Sequence, residues 1–197
     1  MVIILNSINK LNLPLKRSFF GWLIPVFNNV SKKKIQELGP NVACAEWLIR
    51  NGAAVKWKKI SSNESRIDDK YLNNYDNLPK ASGGMEYVIY GVDATDSGIS
   101  HEGFPHFDGC KYIAEMKLVN CLYVGNQALN YLNLLKNSLE YLQIENCGLI
   151  TDDGLHYLTE LINLKTLKLR NLPTIKDKNL IQDKLCNELK DCKIIYE

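Results

Sequence analysis

Apolar residues return along the second half of the chain in one fixed frame. Leu139-x-x-Leu142-x-Ile144-x-x-Cys147 lines up column by column with Leu164-x-x-Leu167-x-Leu169-x-x-Leu172. Upstream the same frame gives Ile113-x-x-Met116-x-Leu118-x-x-Cys121, and more faintly Ile89-x-x-Val92-x-Ala94-x-x-Ser97. The first positions, 89, 113, 139 and 164, are 24, 26 and 25 residues apart. Inside each frame the apolar period is two, which predicts a strand: Leu142 and Ile144 point inward while Gln143 and Glu145 take the opposite face. After Cys147-Gly148 the period changes to that of a helix. Thr151 or Asp152 supplies the N-cap, and Leu155, Leu158 and Leu161 follow on one face.

A unit of this size cannot bury its own apolar face, so neighbouring units must stack. The frame and the interval are those of leucine-rich repeats, which run to roughly 20–29 residues. The predicted fold class is α/β: a short leucine-rich-repeat solenoid of about four repeats, with parallel strands and outer helices, and a small helical N-terminal cap. A helix over 180–189 repeats the arrangement, and the charged tail ELKDCKIIYE is expected to supply the polar outer face that a terminal repeat requires.

Ahead of the repeats the pattern breaks down. SFFGWLIPVFNNV (18–30) is aromatic and apolar with Pro25 in its middle, which argues against one straight helix. In GPNVACAEWLIRNGAAVKW (39–57), Pro40 suits a first helical turn and Gly52 suits the position after a helix end. Ala45, Trp47 and Leu48 are placed to cover the open end of the stack. From 61 to 84 the chain turns polar, with a weak element around Tyr71–Tyr75. The resulting division is 1–18, a mitochondrial targeting segment; 19–60, a helical cap; 61–86, a polar linker; and 87–197, the repeats.

Charge sharpens this division. Of the 24 basic and 22 acidic residues, residues 1–60 hold ten Lys/Arg against two Glu, so a basic head precedes an acidic body. The acid-free start, with Lys10, Lys16 and Arg17 among aliphatics, has the composition of a mitochondrial presequence and lacks the apolar core of a secretory signal. Six cysteines without CxxC spacing speak for reduced thiols in an interior compartment. Cys121 and Cys147 share a repeat column, where a small buried residue fits the turn.

Little in the chain looks like chemistry. There is no GxGxxG, GxxxxGK[ST], GxSxG or HExxH, and none of His101, His106 and His156 has a Cys or Ser neighbour in a recognisable nucleophile arrangement. VDATDSGISHEG (92–103) offers Asp93, Thr95 and Asp96 as hard oxygen donors, but the spacing fails an EF-hand loop and is equally ordinary turn chemistry. What remains is a surface. The outward strand positions make two rows, Asp93, Lys117, Gln143, Lys168 and Thr95, Val119, Glu145, Arg170, on the face that solenoids use for binding. The charged and amide members, Asp93, Lys117, Gln143, Glu145, Lys168 and Arg170, are the candidate interaction surface. The chain is expected not to be an enzyme.

RSFFGWLIPVFNNV, LGPNVACAEWLIRNGAAVKW, VDATDSGIS and NCGLITDDGLHYLTELINLKTLKLRNLP together resemble the ATP synthase subunit s family, also called mitochondrial coupling factor B, from about Arg17 to Leu189. The resemblance implies a non-catalytic protein, peripheral on the matrix side of the mitochondrial inner membrane, that supports proton-coupled ATP synthesis with ATP synthase subunits as partners. It also implies a Mg2+ site whose residues match Gly52 and Thr95. A related branch implies the alternative of an assembly factor for the membrane arm of complex I. A third reading, a ubiquitin-ligase adaptor, would need a helical docking module ahead of the repeats, and the acid-poor front does not resemble one. A basic, aromatic front with Trp22, Phe27 and Lys32–Lys34 would also favour anionic inner-membrane lipid. The chain departs from the family at KLVNCLY, where the family's first-described members carry a CxC pair and this chain has Val119 and Cys121. A dithiol-dependent activity therefore cannot work the same way here.

Overall fold

The computed structural model describes residues 22–61, 65–79 and 86–197. The targeting segment expected over 1–18 lies outside them. Among the described residues there are six α-helices and one open sheet of seven strands, ordered β2-β1-β3-β4-β5-β6-β7. The strands are β1 (Ala54–Ile60), β2 (Ser65–Ile67), β3 (Glu86–Asp93), β4 (Glu115–Val119), β5 (Tyr141–Glu145), β6 (Thr166–Arg170) and β7 (Lys193–Tyr196). The helices are α1 (Leu23–Asn28), α2 (Lys32–Leu38), α3 (Pro40–Arg50), α4 (Asn126–Tyr131), α5 (Asp152–His156) and α6 (Lys178–Glu188).

From β3 to β7 all neighbours run parallel, and the register keeps the sequence columns together. Val92 pairs with Met116, Met116 with Leu142, Leu142 with Leu167, and Leu167 with Ile194. Val92, Met116, Leu142 and Leu167 are buried and meet the leucines of the returning segments in one continuous core, with the partly buried Ile194 packed against its end. Each return is short. The helix α5 gives way to a 3-10 turn over Tyr157–Glu160, so the leucine spacing is served by two tight pieces instead of one helix. Thr151 does occupy the N-cap of α5, but its hydroxyl is taken by Asn126 Nδ2 of the preceding unit at 2.8 Å. Asp152 likewise accepts from the backbone of the following unit, at Lys176 and Asp177. Capping is thus spread across the stack.

A further column lies where each strand turns. Asp96, Asn120, Asn146 and Asn171 all adopt left-handed backbone, with φ of 56°, 54°, 52° and 46°. Asn and Asp tolerate this region better than other residues with a side chain. Their side chains join hand to hand: Asn120 donates to Asp96 at 2.9 Å, Asn146 to Asn120 at 2.7 Å, and Asn171 to Asn146 at 3.2 Å. This ladder turns every unit at the same height.

Within 22–30 the helix covers only Leu23–Asn28, in keeping with the reading against one straight helix, and Pro25 falls within its first turn, where no backbone donor is needed. Two features differ from the sequence reading. Residues 54–60, read as the end of the cap, form β1, whose alternation (Val55 and Trp57 buried, Lys56 outward) lets it pair antiparallel with β3. The tail KIIY, read as part of a polar cap, is β7, a fifth parallel strand on the edge of the sheet. In the segment expected to be linker, β2 pairs with β1, Leu72 bridges Val55, and a 3-10 turn spans Tyr75–Asn77. No helix among the described residues is long and apolar enough to cross a membrane.

Candidate interaction surface and cation position

The open face of the sheet is set by period two. In the first row Asp93 neighbours Lys117, Lys117 neighbours Gln143, and Gln143 neighbours Lys168. Lys117 Nζ is 3.3 Å from Asp93 Oδ2, and Lys168 Nζ stands 5.6 Å above the centroid of the Tyr141 ring. Gln143 accepts from the Tyr141 hydroxyl at 2.9 Å and donates to Glu145 at 3.1 Å. In the second row Glu145 neighbours Arg170, at 3.8 Å between charged groups, and Arg170 Nε also lies 3.5 Å from Glu197. Exposed pairs of this kind contribute about 0.2–1 kcal/mol each, so they order the face more than they stabilise it.

Burial alone would raise the Asp93 carboxyl. Hydrogen bonds from the Thr95 hydroxyl and amide, together with Lys117, outweigh burial and hold it below the usual carboxylate range. Asp93 is therefore an anion at neutral pH.

The face also contains residues that the repeat frame did not single out. Glu115, one step before the first row, receives Lys56 Nζ at 2.8 Å and the Tyr71 hydroxyl at 3.1 Å. Lys56 lies 4.8 Å and Lys117 5.6 Å from the centroid of the Tyr71 ring. Burial and the neighbouring Glu115 push the Tyr71 hydroxyl well up, so it stays protonated and donates. Tyr71 reaches this position because β3 carries Gly91 there. A Cβ on Gly91 would sit 2.7 Å from the Tyr71 oxygen. The segment after β2 is thereby folded over one end of the face.

Gly52 and Thr95 come to the same end of the β1–β3 ladder. Ala54 pairs with Asp93, so residues two before and two beyond these partners converge. The Asn51 carbonyl accepts from Gly98 N at 2.8 Å, which ties the two loops together. Gly52 has φ of 91°, a left-handed turn that ends α3. The Thr95 hydroxyl donates to Asp93 Oδ1 at 2.6 Å, which commits its proton and leaves oxygen lone pairs for a cation. One carbonyl and one hydroxyl beside a carboxylate suit a hard ion that keeps most of its water. They do not form a closed cage: among the described residues no group of three or more His, Cys, Asp or Glu is arranged to hold a metal ion.

No family model matches the chain. Curated relatives do match it. It is 37% identical over 169 residues to ATP synthase subunit s, mitochondrial, of Bos taurus, spanning 84% of this chain and 80% of that protein. The Homo sapiens protein of the same name is 37% identical over 171 residues with the same two spans, and the Rattus norvegicus protein is 38% identical over 170 residues, 85% and 80%. The chain belongs to the ATP synthase subunit s family.

In this member of the subunit s family the thiols of the repeat column are packing residues. Cys121 is wholly buried and donates to the Ala94 carbonyl at 3.0 Å, while Cys147 donates to the Leu118 carbonyl at 3.4 Å. The contact with Cys147 and the burial both push the Cys121 thiol up, so it holds its proton. Cys44, with Cys110 beside it, is likewise driven up by burial. His106 is buried, stacked 5.0 Å from Trp47, with Nδ1 2.9 Å from the Gly103 carbonyl. Burial lowers its pKa, which keeps it neutral.

Proposed function

We propose that this member of the subunit s family is a non-catalytic interaction module of the mitochondrion that docks on ATP synthase subunits through the open face of a short leucine-rich-repeat solenoid. In this reading it sits peripherally on the matrix side of the inner membrane, is delivered there by residues 1–18, and supports proton-coupled ATP synthesis. The observation that carries the reading is the 37% identity maintained over 84% of the chain with proteins named as ATP synthase subunits. The face itself adds to it. Asp93, Lys117, Gln143, Glu145, Lys168 and Arg170 lie in aligned rows on one side of an open sheet whose other side is core.

The test is affinity capture of the full chain from crosslinked mitochondria. ATP synthase subunits should dominate the recovered partners. The double variant Lys168→Glu/Arg170→Glu should reduce that recovery by about tenfold, at a cost of about 1–2 kcal/mol in stability from the lost Arg170 pairs with Glu145 and Glu197. Recovery of complex I membrane-arm subunits, or of cullin-type partners, would replace this reading.

In the same reading Mg2+ is held between Gly52 and Thr95, where it would join the end of α3 to the turn after β3. The ion would add positive charge beside the Asp93 carboxylate and would perform no reaction. Magnesium should raise the melting temperature of the wild-type protein by about 2–4 °C, the shift that about 1 kcal/mol produces in a chain of this size. Thr95→Ala should abolish that rise while melting like the wild type in chelator. An equal loss with and without magnesium would remove the ion from the account.

A further inference from the structure

A cavity lies away from the open face, where α1, α2 and α3 meet the 3-10 segment His101–Phe107. It encloses about 150 Å3 and is lined by Asn29, Ser31, Lys34, Glu46, Arg50 and His106, with Val26, Ala43 and Trp47 closing its sides. Its charges do not cancel locally. Lys34 is committed to Glu46, but Arg50 forms no ion pair among the described residues. The Arg50 Nε–H is fully buried and finds no acceptor among them. Its position in the last turn of α3 is favourable for a cation, but a helix dipole does not accept the hydrogen bond that this N–H must make. A buried donor on a charged group is costly to leave unmade. His106 is held neutral by burial and by Arg50 itself, so it adds no second positive charge and no counter-charge. Ser31 accepts from Lys34 N at 3.3 Å as the cap of α2, which leaves the hydroxyl proton to donate.

We infer that this cavity binds a phosphate group, with the Arg50 guanidinium as its main partner and Ser31 and Asn29 as neutral donors in its lining. A guanidinium fork matches a tetrahedral oxyanion, and the missing acceptor is an oxygen. The size is informative as well. Ligand pockets for whole nucleotides run to roughly 300–1,000 Å3, whereas this volume holds one phosphate group with a few waters. The group is either inorganic phosphate or the phosphodiester of a phospholipid headgroup, since both present the same oxygens. This site is separate from the open face, and its standing does not depend on which complex the protein docks to.

The experiment follows the Nε–Hε signals of the 15N-arginine-labelled full chain during titration with inorganic phosphate at constant ionic strength. The Arg50 signal should move saturably, with a midpoint of about 1 mM, the affinity range of a single weakly enclosed anion. Chloride at equal ionic strength should not move it. Arg50→Gln should weaken phosphate binding, read by calorimetry, at least tenfold, with the melting temperature of the ligand-free protein unchanged or raised. If that variant fails to fold, Arg50→Lys, which keeps the charge and removes the fork, should weaken binding several-fold. Phosphatidylcholine vesicles with and without phosphatidylglycerol distinguish the sources. Retention on the anionic vesicles that free phosphate competes away assigns the headgroup; phosphate binding without vesicle retention assigns the free ion. A flat Arg50 signal, or unchanged affinity in both Arg50 variants, overturns the site.

Discussion

Replacing Asn28 with alanine should lower the stability of the full chain by about 2–5 kcal/mol, more than any exposed charge of the basic front. Asn28 is fully buried and joins three parts of the molecule. Its Oδ1 accepts from Trp47 Nε1 at 2.9 Å and from the Ser100 amide at 3.0 Å, while its Nδ2 donates to Ile24 O at 2.9 Å and Gly98 O at 3.1 Å. Alanine removes the acceptor and leaves two buried N–H donors without partners, each costing about 1–3 kcal/mol. A leucine of similar bulk should not rescue the loss, because the deficit is in hydrogen bonds and not in volume. Urea unfolding followed by circular dichroism measures the effect, with Lys33→Ala as the surface control expected within about 0.5 kcal/mol. A loss below about 1 kcal/mol would mean that the front helices are not bolted to the loop after β3 through this residue.

Asn28 also marks where the sequence stops being readable. The repeat columns were legible because each residue in them repeats the environment of one about 25 places away. The intervals read from Ile89, Ile113, Leu139 and Leu164 are the intervals at which the parallel strands pair. A residue that acts once, between segments remote in sequence, leaves no such trace. Asn28 meets Gly98 and Ser100 some 70 positions away, and Tyr71 meets Glu115 across 44. Some of the missed order did leave a sign. Asn120, Asn146 and Asn171 stand one place before the column of Cys121, Cys147 and Leu172, and a recurring Asn before a turn points to left-handed backbone. The strand β7 is harder to read because its burial is partial and its outer edge has no partner strand among the described residues. The family resemblance alone names Gly52 and Thr95 together; the antiparallel register of β1 and β3 puts them at the same end of that ladder, which spacing alone does not contain.

Trp47→Ala should cost about 3–5 kcal/mol, because it empties the centre of the aromatic cluster that seals the front onto the first repeat unit. Trp47 is wholly buried and meets Phe104 and Phe107 edge-on at 6.1 and 5.4 Å, with His106 stacked flat on its other side. Gly103 exists in this form to admit the ring, since a Cβ there would come within 2.3 Å of it. The ring has two separable functions, packing and the donor to Asn28. Trp47→Phe keeps much of the packing and loses the donor, so it should cost about 1–3 kcal/mol. Combined with Asn28→Ala, it should cost less than the two single losses added together. Both changes remove one shared hydrogen bond, and coupled neighbours depart from additivity by about 0.5–3 kcal/mol. Full additivity in that cycle would show that the Trp47–Asn28 bond contributes nothing, and the seal would then rest on ring packing alone.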